Sequence, residues 1–85
     1  MNKLIGENVF VRTVTSYYTG RLIAIEDGFL HLEDAAWIAD MGRFSAALAK
    51  GTLNEVEPYP GDCFVHLGAM VDVSSWLHEL PREVR

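Results

Sequence analysis

The stretch from Arg21 to Glu33 constrains this chain more than any other. It centres on Asp27-Gly28, a preferred type I′ pair, because both central positions of such a turn need φ > 0. A two-residue turn there sets Glu26 opposite Phe29, Ile25 opposite Leu30, Ala24 opposite His31 and Ile23 opposite Leu32. Ile23, Ile25, Leu30 and Leu32 then share one apolar face, while Glu26, Phe29, His31 and Glu33 share the other. A hairpin with one oily face is not stable alone and must be covered by further strands or a helix. The chain of 85 residues has room for one such core, so residues 1–85 are expected to form a single domain.

The flanking sequence is expected to supply the cover mainly with strands. Val9 to Thr15 alternates as a first strand, with Val9, Val11 and Thr13 on one side and Phe10, Arg12 and Val14 on the other. Thr15 to Gly20 reads as a polar connection in which Gly20 supplies a tight bend or positive φ, and Tyr17-Tyr18 continues the strands around it. Ala35 to Ala39 either extends the hairpin or leaves it through a bend. The alanine-rich segment Arg43 to Lys50 breaks the β pattern and predicts a short helix ended by Gly51, with Phe44, Ala47 and Leu48 on one stripe. That helix lies in an insertion at about residues 40–51. Leu53 to Glu57 predicts a short strand before the stiff turn Pro58-Tyr59-Pro60-Gly61. Cys63 to Leu67 and Met70 to Ser74 predict two strands paired across Gly68-Ala69, with Phe64, His66, Val71 and Val73 on one face. Residues 75–85 form a tail: a brief turn, a stop at Pro81, and fraying from Arg82 to Arg85.

Charge and cysteine usage exclude several classes of function. Apolar residues make up 49% of the chain, enough for a packed core rather than a disordered segment. A domain of this size buries only roughly 60% of its unfolded surface, so further burial between copies of the chain is expected. The formal charge is -5, and it is uneven: between Glu26 and Asp62 lie eight acidic residues against Arg43 and Lys50. Phosphate backbones are held by concentrated basic surface, and none is present here, which disfavours RNA as a partner. Cys63 is alone, so no intrachain disulfide framework exists. With no signal-like apolar segment near Met1 and no run near the ~20 residues that span a bilayer, the expectation is a cytoplasmic chain with no membrane partner.

No local motif identifies a reaction, a cofactor or a metal. Cys63 and His66, three residues apart on a strand, point to opposite faces and do not make a nucleophile and base. His31, Cys63, His66 and His78 lack compact zinc spacing. Glu26-Asp27 flanks an exposed turn and Glu33-Asp34 a strand end, neither with the environment acid/base chemistry requires. Tyr17 and Tyr18, flanked by Ser16 and Thr19, are the one pair with the chemistry to stack on bases or on another protein.

Gly20-Arg21-Leu22-Ile23-Ala24-Ile25-Glu26, followed by Leu30-His31-Leu32-Glu33-Asp34-Ala35, resembles the first motif of the Sm-like (LSm and Hfq-related) family. Phe64-Val65-His66-Leu67-Gly68-Ala69-Met70-Val71-Asp72-Val73 is similar to the second. The resemblance runs from Val9 to Ser74 and implies a mostly β fold, a bent five-stranded antiparallel barrel, here with a short helix in the middle segment. It also implies assembly into a homo-oligomeric ring. Residue by residue, Glu26 matches the acidic position of the family's first nucleic-acid loop and Gly68 the glycine of its second. The first loop lacks the family's asparagine and is one residue shorter, and Leu67 stands where an arginine is common. The expected function is therefore a non-enzymatic oligomeric scaffold or interaction protein, with a specialised single-stranded RNA-binding ring as the alternative. Tyr17, Tyr18, Glu26 and Gly68 are its candidate recognition residues.

Overall fold

The computed structural model describes all of residues 1–85. A 3-10 turn at Asn2–Leu4 leads into strands β1 (Asn8–Thr13), β2 (Tyr17–Glu26) and β3 (Phe29–Asp40). Helix α1 (Phe44–Lys50) follows, then β4 (Glu55–Pro58), β5 (Cys63–His66), a second 3-10 turn (Leu67–Ala69) and β6 (Met70–Ser75). All pairings are antiparallel, in the order β4-β3-β2-β1-β6, with β5 also on β3. β4 runs beside Ala36–Asp40 and β5 beside Phe29–Leu32, so the two lie end to end along one edge of β3. Tyr59 to Asp62 interrupts what is otherwise one strand, and the sheet is a bent, five-strand-wide barrel.

The hairpin closes where the sequence predicts. Asp27 and Gly28 both take positive φ, 55° and 83°, as a type I′ turn requires. Glu26 faces Phe29, Ile25 faces Leu30 and Ala24 faces His31. The expected pair of Ile23 with Leu32 does not form; Leu22 faces Leu32 instead, because Ile23 is a bulge. Leu22 is accordingly fully buried, whereas Ile23 is half-buried. A compensating bulge sits on β3, where Asp34 has φ 50° and Gly20 has no single opposite residue. Each bulge sharpens the local bend, and together they curl the long hairpin.

Gly20 lies inside β2 rather than in a connection, and its φ is not positive; what it supplies is room. A Cβ there would sit 3.0 Å from the Cβ of Leu32 and 3.3 Å from that of Ala35. β3 does not end at Glu33-Asp34: Ala35 to Asp40 continues it past the bend. That continuation fills two cores. Val9, Val11, Leu22, Leu30, Leu32, Ala35, Cys63 and Val65 form the first. Phe10, Ala36, Ile38, Ala47, Leu53, Val56 and Trp76 form the second, beneath α1 and the tail. Helix α1 begins at Phe44, and the Gly51 N–H closes it on the Ala47 carbonyl at 2.8 Å.

Two further expectations are corrected. β5 and β6 are not a hairpin across Gly68-Ala69: β5 pairs with β3 and β6 with β1, at opposite edges of the sheet. The 3-10 turn that carries the chain across is pinned at both ends, Leu67 N–H to the Gly28 carbonyl at 2.9 Å and Val14 N–H to the Ala69 carbonyl at 3.0 Å. The His66 imidazole also accepts from the Gly68 N–H at 2.9 Å, a side-chain cap that fixes the crossing rather than a two-residue reversal. Nor do Arg82 to Arg85 fray. Trp76 and Pro81 are buried, Arg82 donates to the Ala35 carbonyl at 2.7 Å, and Arg85 and Val56 exchange two backbone hydrogen bonds at 3.0 Å.

Candidate functional site

The hairpin tip and the Leu67–Ala69 turn meet at one end of the barrel through the bond from Leu67 to Gly28. Glu26 and Gly68 are thus brought to the same surface, both exposed, with Asp27 and Gly28 beside them. Leu67 turns inward to pack against the first core. The surface carries two carboxylates and no cation at the loops themselves. Tyr17 and Tyr18 lie at the other end of β2 and do not join it. As neighbours in a strand they point to opposite faces: Tyr17 stacks on Phe10 with centroids 6.1 Å apart, and Tyr18 stacks on Tyr59 at 6.5 Å. Both are half-buried.

Just below the paired loops, the outer face of β3 and β5 holds an aromatic and histidine ladder that sequence reasoning missed. Phe29 meets His66 edge to face at 5.1 Å, and His31 stacks on Phe64 at 4.3 Å. Asp62 reaches His31 at 2.7 Å. These are cross-strand pairs, so they exist only because β5 lies on β3. The available signal was a repeated pattern, Phe29-Leu30-His31 and Phe64-Val65-His66.

The backbone beside this ladder is unpaired. In an antiparallel ladder alternate residues turn both N–H and C=O to the same side. The bond from Leu67 to Gly28 fixes the phase on β5: Val65 turns toward β3, so Phe64 and His66 turn outward. The bond from Trp76 to Asn8 at 2.8 Å does the same for β6, turning Val73 and Ser75 outward. No strand of the chain covers either edge. Phe64 is 57% exposed and Val71 59% exposed, so apolar side chains accompany both open edges.

Most cations are committed elsewhere. Arg12 forms a bidentate pair with Asp72, with Nε to Oδ1 at 2.9 Å, and lies 4.7 Å over the Phe44 ring. Arg21 bonds Glu33 and Asp34. Arg82 bonds the carbonyls of Ala35 and Tyr59, and Arg85 that of Leu53. The hydrogen bond from Arg12 holds the Asp72 carboxyl below its ordinary range.

Cys63 and Tyr59 are both tuned away from the ionised, nucleophilic form. Burial pushes the Cys63 thiol up, against thiolate formation, and the hydrogen bond with Tyr59 only partly offsets this. Burial, with Cys63 and Tyr18 nearby, pushes the Tyr59 phenol up to about 12. Cys63 is buried and His66 exposed, on the opposite faces the sequence predicts. No group of three His, Cys, Asp or Glu side chains is placed to hold a metal. No helix is long and apolar enough to cross a membrane.

No protein-family model matches the chain, and no curated protein is significantly similar to it. Solved structures do resemble it. A heptameric archaeal Sm protein, described for its implications for the eukaryotic snRNP core, superposes with a TM-score of 0.64 at 22% identity, over 87% of this chain and 91% of that one. The SmAP1 heptamer of P. aerophilum gives the same TM-score and identity, over 87% of this chain and 84% of that one. The fold is the Sm fold.

Proposed function

We propose that this chain is a non-enzymatic scaffold subunit that closes with copies of itself into a ring and presents the paired-loop surface in repeated array. The observation that carries this reading is the pair of unsatisfied edges, Phe64 and His66 on β5 and Val73 and Ser75 on β6, at opposite sides of a sheet whose other strands are paired. Unpaired edges invite strand addition, and here the β6 edge of one copy is complementary to the β5 edge of the next. A contact between two different surfaces is head-to-tail, and it closes into a ring when the rotation between copies divides the circle. The heptamers with which the chain shares its fold support closure of this kind. In this reading residues 1–85 are one domain, with the segment at about 40–51 an insertion and 75–85 its tail.

Single-stranded RNA binding is the alternative that the fold suggests, and the site chemistry opposes it. Glu26 and Asp27 stand at the paired loops, Leu67 offers no donor, and Arg12, Arg21, Arg82 and Arg85 are bonded within the chain. Copies in a ring repeat that acidic surface rather than dilute it. Fluorescence anisotropy with varied single-stranded RNA oligonucleotides at low salt tests this directly. No binding is expected; salt-dependent binding weakened by substitution at Tyr17, Tyr18 or the loops would reverse the reading.

The assembly itself is tested by Ser75→Pro. Ser75 is exposed and its N–H points away from β1, so proline there removes one edge donor and no internal hydrogen bond. Light scattering should find the substituted chain monomeric and folded where the parent is oligomeric. An unchanged mass would remove β6 from the interface.

A further inference from the structure

β4 continues the same edge as β5, yet it is not open. Val56 turns outward, and both of its backbone groups are taken: its N–H donates to the Arg85 carbonyl and its carbonyl accepts from the Arg85 N–H, each at 3.0 Å. By the alternation of the ladder, Glu55 and Glu57 turn toward β3, and the next outward residue, Pro58, has no N–H to offer. The one donor and acceptor pair in the middle of this edge is therefore filled by the chain itself.

The segment that fills it is held from several sides. The Trp76 indole donates to the Glu79 carbonyl at 3.1 Å, and the His78 ring bonds the Leu48 carbonyl at the end of α1 at 2.8 Å. Leu80 packs on the second core and Pro81 is buried. The Arg82 guanidinium then bonds the carbonyls of Ala35 and Tyr59 at the break between β4 and β5, and that of Arg85 bonds the Leu53 carbonyl before β4.

From this arrangement we infer that residues 82–85 are an intramolecular edge cap: they occupy the β4 half of the edge and confine pairing with a second copy to Cys63–His66. The cap and a strand of a second copy compete for the same groups on Val56, so the extent of subunit contact is set by how firmly the cap is seated. This rests on the scaffold reading above and names the element that regulates its interface. Phe64 has a free N–H and carbonyl; Val56 acquires them only when the cap leaves.

The experiment compares the full chain with a chain ending at Pro81, which keeps Trp76, Leu80 and Pro81, and with Arg85→Pro, which keeps full length but removes the N–H donated to Val56. Native mass spectrometry over a dilution series gives the association midpoint, and amide hydrogen exchange gives protection at Val56. Opening the edge adds a hydrogen-bonded pair to the contact, so at least one variant should associate about tenfold or more tightly, or form a larger assembly. Val56 should remain protected in that assembly and exchange quickly on dilution to monomer. Folded variants with an unchanged or weaker midpoint would overturn the cap and make the segment a structural brace only. Loss of the native fold in both variants would do the same. If the full chain is monomeric while a variant associates, the cap stands and the parent ring fails. If the full chain is oligomeric and neither variant gains, the ring stands and the cap fails.

Discussion

Gly20→Ala is the smallest change that reaches the bend on which the barrel depends. The added methyl would lie 3.0 Å from the Leu32 Cβ and 3.3 Å from the Ala35 Cβ. Both are fixed to the β3 backbone and cannot rotate aside, so β3 must move at its bulge. Overpacking of this kind costs about 1–3 kcal/mol. Alanine recovers about 0.4–1 kcal/mol by narrowing the unfolded ensemble, leaving a net loss of about 1.3 kcal/mol at the middle of the two ranges. Gly61→Ala isolates the second effect, because its Cβ would meet nothing within 4 Å and its φ is not positive. That variant should be neutral or gain about 0.4–1 kcal/mol. Urea unfolding at one fixed protein concentration reads both, since assembly makes apparent stability concentration-dependent. The urea midpoint should fall for Gly20→Ala and hold or rise for Gly61→Ala. A Gly20→Ala chain as stable as the parent would refute the close approach of β2 to β3.

Three further predictions follow from buried and paired groups. Leu22→Ala should cost about 2–5 kcal/mol and Ile23→Ala clearly less, because the bulge turns Leu22 into the core and leaves Ile23 half-buried; equal losses in urea unfolding would return the register to simple alternation. The phenolate absorbance lost in Tyr59→Phe should appear in the parent only near pH 12, after the burial that raises this phenol. Since the folded value exceeds the unfolded value of about 10, the associated stability is complete below pH 10 and lost on rising through 12; an absorbance step at pH 10 in the native state would contradict the burial. Asp72→Asn should lower the urea midpoint at neutral pH, and the difference from the parent should vanish as pH falls through the depressed Asp72 value; a difference that persists in acid would assign the loss to something other than the pair with Arg12.

The parts of the fold legible in the sequence are those written in local chemistry. At Asp27-Gly28 the turn preference and the alternation of Ile25 and Leu30 demand the same register, and the hairpin forms there. The alanine-rich helix and its stop at Gly51 are equally local. The bulges at Ile23 and Asp34 answer to the curvature of the whole sheet, so alternation alone places Ile23 where Leu22 belongs. A glycine between two apolar strands has the same signature whether the chain reverses or crosses the barrel, which is why Gly68 reads as a hairpin turn. Backbone pairing between Arg85 and Val56 leaves no mark on side-chain pattern at all.

The candidate site divides along the same line. The meeting of Glu26 and Gly68 is foreshadowed by the resemblance of their loops to two motifs of one family. The Phe29, His31, Phe64 and His66 ladder depends on which strand β5 chooses, and Tyr17 and Tyr18 are adjacent in sequence yet belong to different faces. Periodicity finds faces; it does not find partners.

The mass of the chain in solution, measured by native mass spectrometry at micromolar concentration, bears most directly on the two open edges. A single closed species of several copies, reduced to folded monomer by Ser75→Pro, is the predicted result. A parent chain that is folded and monomeric at that concentration would contradict it.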